Sequence, residues 1–162
     1  MGREMTAQML VHASCVAING IAILIRGESA SGKSDLLLQL LETSGTGLGD
    51  LQLKAALIAD DQTLLSVQGD RLWASCPETI KGLVEVRGEG IVAVTARGPA
   101  PLGLIVDLIP IQQIERLPEA GQLQAALLGF HLPRLLVGSG TVSAASRVRL
   151  GFVRHVVNMQ QC

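Results

Sequence analysis

The residues best suited to chemistry lie in one short stretch, Gly27-Glu28-Ser29-Ala30-Ser31-Gly32-Lys33-Ser34. This stretch fits the pattern G-x-x-x-x-G-K-[ST] at every fixed position. In loops of this type, backbone N–H groups and the N-terminus of the following helix form a concave anion site. Lys33 would reach the outer phosphates of a nucleotide, and the hydroxyl of Ser34 would hold Mg²⁺. The pattern therefore predicts nucleotide binding by residues 27–34.

The elements on either side of this loop agree with that prediction. Residues 21–26 are mostly apolar and rich in β-branched side chains, which is typical of a buried strand. After the loop, leucines recur at helical spacing and predict a helix from Ser34 to about Glu42. The alternative is a glycine-containing turn with a chance Lys-Ser pair, and the order of strand, loop and helix disfavours it.

A second candidate group is the acidic pair Asp60-Asp61, which follows a predicted buried strand over residues 55–59. A carboxylate at the C-terminal end of a strand beside a phosphate-binding loop can hold Mg²⁺ or its water ligands. Successive strand residues point to opposite sides, so only one member of the pair can face the phosphates directly. The alternative is an acidic turn on the surface.

A histidine near the N-terminus is the third candidate. Asn19-Gly20 lies between two apolar runs and predicts a β-hairpin with a two-residue type I′ turn. In this register Ile18 faces Ile21, and His12 lies across from Gly27. The hairpin would bring His12 to the mouth of the loop, and a purely structural histidine is an equal alternative.

Glu85 and Arg87 are two residues apart and would share one face of an extended chain. Gly88 and Gly90 permit a sharp backbone turn just beyond them. A carboxylate and a guanidinium displayed together suit contacts with a metal ion and a phosphate. A solvated ion pair on an exposed strand edge is the commoner alternative.

The rest of the chain predicts further strands and helices without an internal repeat. These comprise a hairpin of 62–67 with 71–75, a helical turn at 78–82, strands over 91–96, 102–109 and 132–137, a short helix over 122–128 and a final helix over 141–159. This alternation indicates an α/β fold, and a length of 162 residues is that of a single domain, 1–162. Residues 1–8 are expected to be flexible or partly an added extension.

Composition disfavours several classes of function. Apolar residues make up 48% of the chain, but none of its apolar runs approaches the roughly 18 residues of a membrane span. A formal net charge of −1, with two phenylalanines and one tryptophan, disfavours nucleic-acid binding. Three cysteines without metal-ligand spacing indicate free thiols in a reducing cytoplasm.

Taken together, these residues resemble the catalytic domain of the HPr kinase/phosphorylase family. These bacterial enzymes phosphorylate a serine of HPr, the phosphocarrier protein of the sugar phosphotransferase system. The resemblance extends over residues 10–157. It rests on His12 and its distance from Lys33, the loop Gly27–Ser34, Ala59-Asp60-Asp61, Val84-Glu85-Val86-Arg87-Gly88-Glu89-Gly90-Ile91, and Glu115-Arg116-Leu117.

The resemblance implies a P-loop kinase core whose central sheet carries flanking helices and hairpins. Lys33 would bind the transferred phosphoryl group of ATP. Ser34 and Glu85 would ligate Mg²⁺, and Asp60 remains a further metal-ligand candidate on the strand-end argument. The resemblance also implies a cytoplasmic homo-oligomer, a hexamer, with HPr as its protein substrate.

The resemblance assigns the remaining residues to the transfer step. Asp61 would take the proton from the substrate serine and return it in the reverse reaction. His12 would support that site, Arg87 would stabilise charge beside it, and Arg116 would be a further active-site arginine. Two alternatives stay open, namely a kinase of a small hydroxyl metabolite and a non-catalytic ATP-sensing module.

The chain also departs from the pattern of the family it resembles. Glu28 and Ala30 occupy loop positions where the family commonly has Asp and Gly. The proline- and arginine-rich loop tied to dephosphorylation has no clear counterpart, and the N-terminal domain of longer members is absent from this sequence. These departures favour kinase activity over phosphorylase activity.

Overall fold

The computed structural model describes residues 7–158. Residues 1–6 of the stretch expected to be flexible, and the predicted helix end at Met159, lie outside the described residues. The regular elements are β1 Gln8–Val11, β2 Ser14–Ile18, β3 Ile21–Arg26, α1 Lys33–Glu42, β4 Ser44–Gly45, β5 Leu53–Ala59, β6 Thr63–Gln68, β7 Arg71–Ser75, β8 Leu83–Val86, β9 Gly90–Ala93, β10 Ala100–Ile109, β11 Gln124–Leu127, β12 Phe130–Gly138 and α2 Ala144–Phe152.

A ten-stranded sheet organises the described chain, with the order β1-β6-β7-β10-β3-β2-β5-β4 and with β12 and β11 joined through β10. Strand β10 runs parallel to both β3 and β12. Strand β2 is antiparallel to both β3 and β5, so β5 runs in the same direction as β3. The C-terminal ends of β3 and β5 therefore lie at the same edge of the sheet, where loop 27–34 and Asp60-Asp61 begin.

The β2–β3 hairpin forms in the predicted register. Ile18 pairs with Ile21, and the turn residues Asn19 and Gly20 both have positive φ, 50° and 76°. A type I′ turn requires this left-handed backbone at both positions. The pairing ends at Ser14, so the predicted pairing of His12 with Gly27 does not form, and His12 lies in the bend between β1 and β2.

Two apolar cores cover the opposite faces of β2 and β3. Val16 and Ile23 pack with the helices α1 and α2, whereas Cys15 and Leu24 pack towards the β6–β7 hairpin. Burial on both faces explains why these strands are nearly continuous apolar runs. Neither helix within residues 7–158 is long and apolar enough to cross a membrane.

The predicted helix over 122–128 is wrong, because residues 124–127 form strand β11. This strand pairs antiparallel with β12, and Leu128 and Gly129, both at positive φ, close the turn between them. A short apolar run fits a helix or a strand equally well, and the tight turn decides in favour of the strand. The predicted final helix is also shorter than expected, since α2 begins at Ala144 and continues after Phe152 as a π-helical turn over 153–157.

A buried carboxylate ties three parallel strands together near the C-terminal ends of β3 and β10 and at the middle of β12. Asp107 of β10 accepts two hydrogen bonds from Arg26 of β3, at 2.7 and 2.8 Å, and a third from Arg134 of β12. Burial alone would raise the pKa of Asp107, but the hydrogen bonds and charges of the two arginines outweigh it and lower that pKa. The ionised carboxylate thus stabilises the fold directly beneath loop 27–34.

We predict that Asp107→Asn lowers the free energy of unfolding by about 2 kcal/mol at neutral pH, because two partly buried guanidinium groups lose their counter-charge. The pKa of Asp107 is lower in the folded protein than in the unfolded chain, where it is about 3.9. The ionised carboxylate therefore stabilises the fold fully at pH values above the unfolded-state pKa, and this stabilisation is lost as the pH falls through the folded-state pKa. Urea titrations at several pH values should show the difference between the two proteins shrinking in acid. A difference in unfolding free energy that stayed constant down to strongly acidic pH would contradict this role of the Asp107 carboxylate. The control is Asp50→Asn, which makes the same change at an exposed aspartate.

Candidate active site

Loop 27–34 has a backbone that only particular residues permit. A Cβ atom on Gly27 would lie 2.4 Å from Oγ of Ser31 and 3.2 Å from Cβ of Leu108, so a side chain there would force Ser31 to move. Gly32 has φ of 95° and caps α1, which again favours glycine. Ala30 also has positive φ, 62°, a conformation that costs an L-residue roughly 1 kcal/mol. The loop therefore holds a strained, compact shape at the start of α1.

The polar groups of this loop fit an anionic ligand. Lys33 is 7% exposed, and its Nζ donates hydrogen bonds to the carbonyl oxygens of Gly27 at 2.7 Å and Glu28 at 3.0 Å. The buried Oγ of Ser31 has no hydrogen-bond partner among the described residues. Buried polar groups normally have partners, so this hydroxyl is an exception within the loop. The feature that favours an anion is the N-terminus of α1, which begins at Lys33.

Asp60 is buried just after β5, and its hydrogen bonds hold two distant segments at this edge of the sheet. It is 7% exposed, its Oδ1 accepts a hydrogen bond from Oγ of Ser14 at 3.0 Å, and its Oδ2 accepts one from the backbone N–H of Glu85 at 3.1 Å. Ser14 Oγ in turn accepts a hydrogen bond from the backbone N–H of Asp61 at 3.1 Å. This network fixes the strand end and brings the β8 strand to it.

Asp61 points away from this buried network into solvent. It has φ of 65°, and its Oδ1 lies 3.3 Å from Nε2 of His12. The two side chains are 62% and 57% exposed, respectively. Both residues lie beyond β5, and the left-handed backbone of Asp61, rather than strand alternation, turns its carboxylate away from the buried network. The more accessible carboxylate of the pair is that of Asp61.

Glu85 and Arg87 belong to the β8–β9 hairpin, where Glu85 pairs with Ile91 and Val86 pairs with Gly90. Both Glu85 and Arg87 are exposed. The Glu85 amide donates a hydrogen bond to Asp60, which holds this hairpin beside the end of β5 and on the same cleft as loop 27–34.

A single cleft of about 610 Å³ collects these groups. It is lined by His12, residues 29–35, Leu38, Asp60, Asp61, residues 85–88 and Gly90. The structure therefore brings together most of the residues that the sequence singled out, from four separate segments. Arg116 is exposed on the segment between β10 and β11 and is not among the lining residues.

The metal-ligand candidates share this cleft, but they do not form a preassembled carboxylate cluster. Residues 7–158 contain no group of three His, Cys, Asp or Glu side chains placed to hold a metal. Ser34 and Glu85 are exposed to the cleft, whereas both oxygens of Asp60 already accept hydrogen bonds. A hydroxyl and a carboxylate facing a phosphate cradle fit Mg²⁺, which keeps several of its own waters.

Sequence reasoning did not identify Ser14, which is fully buried and hydrogen-bonded to both Asp60 and Asp61. The only signal was a hydroxyl within the apolar stretch that precedes the hairpin turn. A buried hydroxyl in a strand requires partners, but the sequence does not say which partners those are.

Comparisons with known proteins agree with this geometry. A family model described as the HPr Serine kinase C-terminal domain matches residues 3–138. The HPr kinase/phosphorylase of Acidovorax sp. (strain JS42) is 32% identical over 124 residues, which cover 72% of this chain and 36% of that protein. The HPr kinase/phosphorylase of Thermoanaerobacter sp. (strain X514) is 32% identical over 93 residues, or 57% of this chain and 27% of that protein. The chain thus matches about a quarter to a third of the length of these relatives.

The fold has a counterpart among solved structures. The HPr(Ser) kinase/phosphatase from Coxiella burnetii superposes with a TM-score of 0.76 at 23% identity, covering 94% of this chain and 99% of that chain. The segment matched by the family model contains loop 27–34, the Asp60-Asp61 pair and the β8–β9 hairpin. On this match, which spans most of the 162 residues, the chain belongs to the HPr serine kinase C-terminal domain family.

Proposed function

We propose that the protein is an ATP- and Mg²⁺-dependent kinase that phosphorylates a serine of the phosphocarrier protein HPr. The observation that carries this proposal is the convergence of loop 29–34 with Asp61, Glu85 and Arg87 in one cleft. Phosphoryl transfer depends mainly on positioning and on electrostatic stabilisation, and this cleft offers groups for both. Family membership and the names of the relatives support HPr as the acceptor.

The phosphates of ATP would be held by backbone N–H groups of loop 27–34 and by the N-terminus of α1. Lys33 is buried beside the loop, so its ammonium can exchange two carbonyl oxygens for phosphate oxygens with little movement. Ser34 and Glu85 would hold Mg²⁺. Asp60 would support that ion by holding the backbone of Glu85 through its hydrogen bond to the Glu85 amide, or by binding one of the ion's waters. When bound, Mg²⁺ neutralises charge on the phosphates.

Asp61 would accept the proton of the substrate hydroxyl as the phosphoryl group is transferred. His12 lies 3.3 Å from its carboxylate and limits the directions in which that carboxylate can point. Arg87 stands on the hairpin opposite and would stabilise the charge that develops on the transferred group. In the reverse direction the same carboxylate would return the proton to serine.

The exposure of Asp61 favours a protein acceptor over a small metabolite. With 62% of its side chain exposed, the carboxylate can meet a serine carried on the surface of another protein. The family resemblance further supports a cytoplasmic homo-oligomer, a hexamer, and the composition and net charge argue against a membrane or nucleic-acid partner. Arg116, which lies outside the cleft in this structure, stays a prediction as an active-site arginine.

Transfer from γ-labelled ATP to purified HPr in the presence of Mg²⁺ tests the proposed function. We expect label on a serine of HPr, and we expect Lys33→Ala to reduce this labelling at least a hundredfold because it removes the ammonium that faces the phosphates. Label on a small hydroxyl compound but not on HPr would favour the metabolite kinase. ATP binding without transfer to any acceptor would favour the sensing module.

Asp61→Asn separates binding from chemistry. The amide cannot accept the serine proton, so we expect kcat to fall by 10²- to 10⁴-fold, roughly the contribution of a general base, while ATP affinity changes little. Stopped-flow or filter-based transfer assays give kcat, and calorimetry gives the affinity. The matched control is Asp70→Asn, which makes the same change at an exposed aspartate in the β6–β7 turn. Undiminished phosphoryl transfer by Asp61→Asn would show that Asp61 is not the general base.

A further inference from the structure

A second cleft, of about 430 Å³, lies between the segment that follows α1 and the helix α2. Residues 45–48 line one side, and Ser143, Ser146, Arg147, Arg149 and Leu150 line the other. None of these residues lines the cleft that contains loop 29–34. A volume of this size falls in the usual range for small-molecule sites, about 300 to 1,000 Å³.

The side chain of Arg149, which lines this cleft, is a buried cation with no counter-charge among residues 7–158. Arg149 is 4% exposed, and its Nη2 donates hydrogen bonds to the carbonyl oxygen of Thr43 at 2.8 Å and to Oγ1 of Thr43 at 3.0 Å. Its buried Nε has no partner among the described residues, and none of the ion pairs formed between residues 7 and 158 includes it. Burial lowers the pKa of this guanidinium, which nevertheless stays charged at neutral pH.

The opposite wall is shaped to cover Arg149 closely. A Cβ atom on Gly45 would lie 3.2 Å from both Cδ and Nη1 of Arg149, and one on Gly47, where φ is 58°, would lie 2.5 Å from its carbonyl oxygen. The absence of a side chain at Gly45 lets the loop lie against the guanidinium, and its absence at Gly47 lets the loop lie against the backbone of α2.

Further donors surround the same cleft. The exposed Arg147 donates from Nε to Oγ of Ser143 at 2.8 Å, which holds its guanidinium at the rim. Ser143 is the N-cap residue of α2, and the first turn of α2 contains no acidic residue. Helix N-termini favour negative charge, so this end of α2 adds to the positive potential that the two arginines create.

We propose that this cleft binds a small anion, a compound that carries a phosphate or carboxylate group, between Arg149, Arg147 and the N-terminus of α2. The two independent observations are the buried, partly unpartnered guanidinium and the cleft that it lines. The anion supplies the counter-charge that residues 7–158 do not provide. Because Arg149 donates a hydrogen bond to Thr43, the C-cap residue of α1, Arg149 links the occupant to the far end of the helix that begins at loop 27–34.

Thermal unfolding of the full chain, with sodium phosphate and sodium citrate titrated at constant ionic strength, tests this proposal. We expect both anions to raise Tm in the unaltered protein and in Lys33→Ala, in which the phosphate loop is disabled. Arg147→Glu should weaken binding about tenfold or more, since it reverses a charge at the rim without disturbing the buried Arg149. Arg154→Glu carries the same charge change at an exposed position that does not line the cleft, so its Tm shift should match that of the unaltered protein.

Ser146→Glu provides a second and opposite test, because it places a carboxylate at the cleft itself. We expect this variant to be at least as stable without added anion and to lose its response to phosphate. Equal shifts in Arg147→Glu and the unaltered protein, or loss of every shift in Lys33→Ala, would assign the binding elsewhere and overturn the proposal. It would also be overturned if Arg147→Glu dissociated an oligomer while no anion bound, since an acidic group of a second copy would then fill the cleft.

Discussion

The buried carboxylate of Asp60 is the group on which the candidate active site depends. Its two oxygens hold the Ser14 hydroxyl and the Glu85 amide, so one side chain connects strands β2, β5 and β8 at a single edge of the sheet. Without it, a buried hydroxyl and a partly buried N–H would lose their partner, at a cost of about 1–3 kcal/mol for each buried group left unsatisfied. The Ser14 hydroxyl also accepts a hydrogen bond from the Asp61 amide, so the same network fixes the backbone that carries Asp61 at the cleft.

The local parts of this arrangement could be predicted from the sequence, because each depends on residues close together in the chain. The loop at 27–34 follows from the spacing of its glycines, lysine and serine, and the β2–β3 register follows from the Asn19-Gly20 turn. In both cases a few neighbouring residues determine the backbone conformation. The directions of Asp60 and Asp61 do not follow in this way, because both lie beyond β5 and Asp61 has positive φ, 65°.

The remaining features depend on contacts between distant segments, which spacing does not reveal. Ser14 and Asp60 are 46 positions apart, and the partner of Arg149 is 106 positions away. Residues 124–127 carry a short apolar pattern that fits either a helix or a strand, and their pairing with β12 decides the outcome. Predicting any of these would require knowing the sheet order first.

Amide hydrogen exchange at Glu85 tests the central claim most directly. Asp60→Ala removes the acceptor of that N–H, so the account predicts faster exchange at Glu85 and its neighbours in β8, with exchange in the buried strand β3 unchanged. The matched Asp61→Ala variant should leave exchange at Glu85 as it is in the unaltered protein. Unchanged protection of the Glu85 amide in Asp60→Ala would contradict the view that Asp60 holds the β8–β9 hairpin at the site.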